Sequence, residues 1–195
     1  MSMKLRNAVV FMGVLMLLMG CSDDNGTIGS YDAEKYAAED DIALIEYLES
    51  HYLNEEDGMI WSITNGETPL YNQVESINVT KNDVNFKLYF LKQNEGVGSN
   101  PTVADSVLTT YRGMLMDSTF FDSRSSYTWF SLTDVVDGWA HGFKNFREGV
   151  KVVNPDESFY YENSGKGILF IPSGLGYQNQ PQTGIPENSP LIFYF

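Results

Sequence analysis

Residues Ile171–Phe195 read IPSGLGYQNQPQTGIPENSPLIFYF. One aromatic, Tyr177, stands between a short apolar run and a polar loop bearing Gly and Pro, after which the chain returns to a strand pattern, PLIFYF. No His, Cys, Lys or Arg occurs in the stretch, so the loop presents a tyrosine and aliphatic groups but no strong base and no thiol. Such a loop suits the closing of an apolar pocket better than covalent chemistry. What it closes on has to come from upstream.

GILFI (Gly167–Ile171) is a strand ahead of the loop, and DVNFKLYFL (Asp83–Leu91) alternates, with Val84, Phe86, Leu88 and Phe90 on one face of a half-buried strand. SVLTTYRGML (Ser106–Leu115) is also β-rich; FDSRSS (Phe121–Ser126) predicts a turn and YTWFSL a further strand. DGWAHGFKNF (Asp137–Phe146) fits a short helix, with Trp139, Phe143 and Phe146 at four- and three-residue steps. Towards the amino end, Ile42, Ile45, Leu48 and Tyr52, with Leu44 beside them, predict a helix from about Asp32 to Tyr52. Gly58–Ile63 is a short strand candidate, and Asn65-Gly66 predicts a hairpin-type turn. Many short strands with one long and one short helix define an α+β chain with an antiparallel sheet.

MSMKLRN carries Lys4 and Arg6, Ala8–Met19 is apolar, and Gly20-Cys21 follows. A basic head, an apolar run too short for a bilayer span and a small residue before the cut make a secretory leader. LMGC resembles the lipobox of bacterial lipoproteins, in which the cysteine becomes the acylated mature N-terminus. Cys21 is the one cysteine of the chain, which leaves no disulfide framework and no thiol for catalysis. Ser22-Asp23-Asp24 lacks the inner-membrane retention signal; it reads either as an acidic tether or as a surface-export tag. The resemblance places the mature protein in the cell envelope, lipid-anchored at the outer membrane, on its periplasmic face or at the cell surface. Loss of Lys4 and Arg6 with residues 1–20 leaves 10 basic and 26 acidic side chains, a formal charge of −16 against −14 for the whole chain. That surface repels nucleic acid and anionic lipid. The organisation read this way is leader 1–20, acidic tether 21–31, helical extension with short strands 32–83, and a domain 84–195 with an insertion around 150–165.

Familiar reactive motifs are missing. His51 and His141 fall in different predicted helices, so a two-histidine metal site is not indicated. Ser173 in IPSGL lacks the glycine of a nucleophile elbow, Gly165-Lys166-Gly167 is not a phosphate loop, and Gly96-Val97-Gly98 runs into Pro101 rather than a third glycine. No cofactor or metal is called for.

The blocks that remain are TTYRGMLMDSTFFDSR, WFSLTDVVDGWAHGF, GILFIPSGLGY and GIPENSPLIFYF. In this order and spacing they resemble the FKBP-type peptidyl-prolyl isomerases, from Gly96-Val97-Gly98 to the C-terminus. The resemblance implies an antiparallel sheet wrapped around a short helix, with isomerase activity on proline-containing polypeptides and no cofactor. Carried over block by block, it places Tyr111 on a pocket wall, Phe121 and Asp122 from a Phe-Asp pair, Phe130 from the strand before the helix, and Val135 and Val136 ahead of Gly-Trp. Trp139 becomes the floor, Tyr177 the late-loop hydroxyl, Ile185 the residue of the Ile-Pro pair, and Phe193 the aromatic of the last strand.

Rotation about a peptide bond costs ~18–20 kcal/mol because resonance is broken. The twisted state has lost part of the planar amide's charge separation, so a dry pocket penalises the planar form more. The implied roles follow: Trp139, Phe121, Phe130, Val135 and Phe193 exclude water, the Val136 N–H and Tyr177 hydroxyl hold substrate carbonyls, and Asp122 orients Tyr111. Gln178 and Gly184 depart from the family pattern, which favours glycine and an aliphatic residue there. The helix 32–52 resembles the dimerising N-terminal helices of some bacterial members, implying a homodimer. Two other readings stay open: a catalytically weak or inactive FKBP-like chaperone or subunit of an envelope complex, and a glycan-binding surface protein using Trp61, Trp129 and tyrosines as stacking platforms.

Overall fold

The computed structural model describes residues 30–195. The leader 1–20, Cys21 and all but the last residues of the tether 21–31 lie outside the described residues.

The first element is helix α1 (Ala33–Ser50), whose start is capped by Asp32 accepting from the Lys35 N–H at 3.1 Å. Ser50 folds its hydroxyl back onto the Glu46 carbonyl at 2.6 Å, and the chain leaves as β1 (His51–Leu53). His51 and Tyr52 therefore belong to a strand rather than to the predicted helix. The buried face of α1 is Asp40, Leu44, Tyr47 and Leu48, while Ile42 is 59% exposed. The apolar stripe is thus rotated from the one the spacing suggested, because Asp40 turns inward to bond Ser173.

β1 pairs with β2 (Ile60–Ser62) across the turn at Asn54–Met59. Asn65-Gly66 does not join paired strands: it lies in the irregular stretch between β2 and β3 (Glu75–Lys81), with Gly66 at φ +82°. β3 then hairpins onto β4 (Val84–Asn94). β5 (Ser106–Leu115) and β6 (Phe120–Ser131) form the longest pairing. Their turn is Met116–Thr119, closed by Leu115 N–H donating to the Thr119 carbonyl at 2.9 Å, with Ser118 at φ +68°. FDSRSS is accordingly strand, not turn. Its polar side chains face solvent while its backbone pairs with β5 along the sheet edge.

Helix α2 (Asp137–Gly142) continues into a 3-10 turn at Phe143–Asn145. β7 (Val150–Val153) and β8 (Phe159–Glu162) make a separate hairpin out of the 150–165 insertion. β9 (Lys166–Ile171) and β10 (Leu191–Tyr194) complete an antiparallel six-stranded sheet ordered β3-β4-β9-β10-β5-β6. β3 begins this sheet within the stretch that the sequence assigned to the extension.

The central strands read as continuous apolar runs because both of their faces are covered. Alternate side chains point to opposite sides of a sheet. Leu169, Ile171, Leu191 and Phe193 join Phe86, Leu88, Phe90 and Trp139 on the α2 side. Ile168, Phe170 and Ile192 join Leu44, Tyr47, Leu48, Tyr89 and Met114 on the α1 side. The extension and the sheet share one core. α2 lies close to the sheet because its inward positions are glycine: a Cβ at Gly138 would sit 2.3 Å from Ile171 Cγ2, and one at Gly142 2.5 Å from Leu169 Cδ1.

Leu169 is fully buried on the α2 side. Leu169→Ala should lower unfolding stability by ~2–5 kcal/mol. Urea denaturation followed by near-UV circular dichroism measures it.

Candidate active site

β5, β6, α2, the loop after β9 and β10 converge on one aromatic cluster. Trp139 is its centre, 4% exposed. Tyr111, Phe130, Phe143 and Phe193 meet the indole edge-on, with centroids 5.1, 5.5, 5.2 and 5.2 Å away. Phe121 packs edge-on against Phe193 at 5.5 Å. Each edge-to-face pair contributes about 0.5–1.5 kcal/mol beyond its buried area. The glycine of Tyr111-Arg112-Gly113 has a steric reason: a Cβ there would sit 2.5 Å from Phe121 and 2.8 Å from Phe193.

The Tyr111 hydroxyl donates a short hydrogen bond to Asp122 Oδ2, and Oδ1 accepts from the Ser123 N–H at 2.8 Å. Asp122 thus both orients Tyr111 and holds its own backbone. Burial, then the bond to Asp122 and the nearness of its charge, push the Tyr111 hydroxyl up to about 12, against an opposing pull from Arg124. Arg124 lies across from Tyr111 in the β5–β6 register and makes no ion pair with Asp122 among the described residues.

Val135 and Val136 are half-buried at the start of α2. The Val136 carbonyl accepts from Trp139 and Ala140 N–H groups, whereas its own N–H meets no acceptor among the described residues. The indole Nε1–H of Trp139 is likewise buried without an acceptor. Tyr177 is 37% exposed, and burial followed by the Asp122 charge raises its hydroxyl above the ordinary value. Ile185 is buried at 5% exposure. The floor of the site is therefore Trp139, Phe193 and Ile185, all buried; its rim is Tyr111, Phe121, Phe130, Val135 and Val136, half-buried, with the exposed Asp122 and Tyr177.

Two hollows of about 750 and 470 Å³ lie elsewhere. The first is bounded by Pro101, Thr109, Trp129, Phe146 and Tyr161, the second by Leu53, Glu56 and Gln73. Neither is lined by Trp139 or Tyr177.

The two departures from the family pattern have structural counterparts. Gln178, at a position where the pattern favours glycine, keeps a left-handed backbone with φ +56°. Gly184 has φ +77° and lies against Phe121, to which a Cβ would come within 3.4 Å. Trp61 lies in β2 and Trp129 in β6, in different sheets, and both are exposed. No group of three or more metal-ligating side chains occurs among the described residues.

Sequence reasoning missed Phe143 as a wall of the Trp139 cluster, although its four-residue step from Trp139 carried the signal. It also missed Tyr31, Asp40 and Lys81, which reach the loop bearing Tyr177. No local pattern marks them.

A sheet wrapped on a short helix, with this aromatic cluster at the helix start, is the arrangement expected of a prolyl isomerase domain. Residues 98–194 match the family model described as FKBP-type peptidyl-prolyl cis-trans isomerase. The isomerase FkpA of Escherichia coli (strain K12) is 36% identical over 103 residues, which cover 50% of this chain and 32% of that protein. The probable FkpA of Neisseria meningitidis serogroup B (strain ATCC BAA-335 / MC58) is 28% identical over 123 residues, 61% of this chain and 38% of that protein. The crystal structure of FkpA from Escherichia coli aligns with a TM-score of 0.48 and 26% identity, over 83% of this chain and 59% of that chain. The chain belongs to the FKBP-type peptidyl-prolyl cis-trans isomerase family. It spans about a third of the length of the curated relatives it matches.

Two outcomes follow from the site. A left-handed backbone costs an ordinary L-residue roughly 1–2 kcal/mol and glycine almost nothing. Gln178→Gly should therefore raise the melting temperature or leave it unchanged, read by scanning calorimetry. The raised Tyr111 hydroxyl supports the fold fully below pH 10, and that support is lost as pH rises through about 12. The stability gap between the parent and Tyr111→Phe should narrow across that window in urea titrations.

Proposed function

We propose that this chain is a peptidyl-prolyl cis-trans isomerase that assists folding of exported or envelope proteins. The prolyl ring enters between Tyr177, Phe130 and the Trp139 indole, with Val135, Phe121 and Phe193 excluding water. The free Val136 N–H and the Tyr177 hydroxyl hold the carbonyls on either side of the proline. Asp122 fixes Tyr111 against one wall. Desolvation then raises the planar amide relative to the twisted one, and no bond is made or broken. Each thousandfold acceleration asks for ~4 kcal/mol of such differential binding.

The observation that carries this reading is the joint geometry of Tyr111, Asp122, Phe130, Trp139 and Phe193 around one indole. An unpaired backbone N–H at its edge supports it. The second reading, a binding module without turnover, is favoured by the nearly complete burial of Trp139 and by the 750 Å³ hollow lying elsewhere. The lipid on Cys21 holds the protein at the outer membrane; no described helix is long and apolar enough to cross a membrane. A homodimer through α1 has little apolar surface to use, since Leu44, Tyr47 and Leu48 are buried within the chain.

The full chain in mild detergent, assayed on a proline peptide by protease-coupled hydrolysis, tests the proposal. Turnover is expected in the parent. It should fall by on the order of tenfold or more, ~1.4 kcal/mol per decade, in Asp122→Val, Tyr177→Ala and Trp139→Ala, with folding checked by near-UV circular dichroism. Peptide binding without any turnover selects the second reading.

A further inference from the structure

The candidate site is assembled from two pieces of chain: the start of α2, with Val136 and Trp139, and the loop after β9, with Tyr177 and Ile185. Both are gripped by the N-terminal extension. Asp40 of α1, 5% exposed, accepts through Oδ2 from the Ser173 N–H at 2.7 Å and the Ser173 hydroxyl at 2.6 Å. The Tyr31 hydroxyl reaches the same Ser173 Oγ at 2.9 Å. Ser173 is fully buried, and its carbonyl accepts from the N–H groups of Gly176 and Gln178, at 3.0 and 2.9 Å. Those two amides flank Tyr177. Two steps of hydrogen bonding thus connect α1 to the backbone on either side of Tyr177.

Lys81, at the end of β3, makes the second grip. Its Nζ donates to the Gly174 carbonyl at 3.1 Å and pairs with Asp137 Oδ2 at 2.6 Å. Gly174 lies in the Tyr177 loop, and Asp137 is the first residue of α2. One ammonium therefore spans the two pieces of the site. Lys81 and Asp137 are both partly exposed, and exposed ion pairs add little to overall stability. Asp40 is costly in a different way, since a carboxylate leaves water unwillingly and is tolerated inside only when its oxygens are bonded. Neither residue is what a fold needing only stability calls for at these places. Both are what a loop needing one fixed position calls for.

We propose that Asp40 and Lys81 are positioning residues of the site: α1 and β3 clamp the Tyr177 loop and fix its placement against the start of α2. This deepens the isomerase reading and rests on it for its effect on turnover. The extension is then a working part of the catalytic unit.

The test uses the full chain with 3-fluorotyrosine incorporated at position 177, observed by fluorine NMR alongside the isomerase assay. One sharp resonance is expected in the parent. It should shift or broaden in Asp40→Leu and in Lys81→Met, with kcat/KM down about tenfold. Asp40→Asn, which keeps an oxygen for both Ser173 donors, should restore the resonance and most of the turnover. An unmoved resonance in folded Asp40→Leu and Lys81→Met overturns the proposal, as does failure of Asp40→Asn to rescue. If Asp40→Leu does not fold, Lys81→Met decides alone, because that side chain is partly exposed. A parent chain without turnover sinks the isomerase reading, and the fluorine signal still decides whether the clamp exists.

Discussion

The structure depends on one constraint: β9 and β10 cannot face water on either side. Their side chains alternate between two cores, and every residue from Gly167 to Leu175 is buried. One side is sealed by α2, which can approach only because Gly138 and Gly142 leave room for Ile171 and Leu169. The other side needs a cover of its own, and α1 is that cover. The position of Trp139 follows from the first contact. The proximity of Asp40 to Ser173 follows from the second.

Placing the site at the start of α2 has an electrostatic logic. The amide groups at a helix start point outward and carry partial positive charge. The Val136 N–H belongs to that set, although a helix as short as Asp137–Gly142 contributes only a small dipole. Around it the chain has placed rings with few polar atoms, of which the Tyr111 hydroxyl is committed to Asp122. On the proposed isomerase reading, the chemistry on offer is exclusion of water and the holding of carbonyls. That accords with a polypeptide substrate whose slow step is a rotation.

The site residues were legible through the resemblance carried by four sequence blocks, whereas the steric demands at Gly113 and Gly138 appear only in the folded chain. The alternation of Val84, Phe86, Leu88 and Phe90 marked the core face of β4. FDSRSS misled because an edge strand needs only its backbone to pair, so its side chains can be as polar as those of a turn. β3 escaped notice for a related reason: in ESINVTK only Ile77 and Val79 are apolar, and two alternate positions are too few to set a period. Asp40 and Lys81 were invisible in principle. Their partners, Ser173, Gly174 and Asp137, are distant in the chain, and a charged residue at an inward helix position looks like solvent-facing decoration until the fold is known.

The hairpin of β7 and β8 leaves the body and returns through a pinched neck. Gly165 N–H donates to the Arg147 carbonyl at 2.8 Å, and a Cβ on Gly149 would lie 2.4 Å from the Ser164 hydroxyl. The two ends of the excursion are fixed side by side whatever lies between them. Evolution can lengthen, shorten or replace this ribbon without disturbing α2 or β9. A protein engineer has the same freedom to graft an epitope or a fluorescent reporter there.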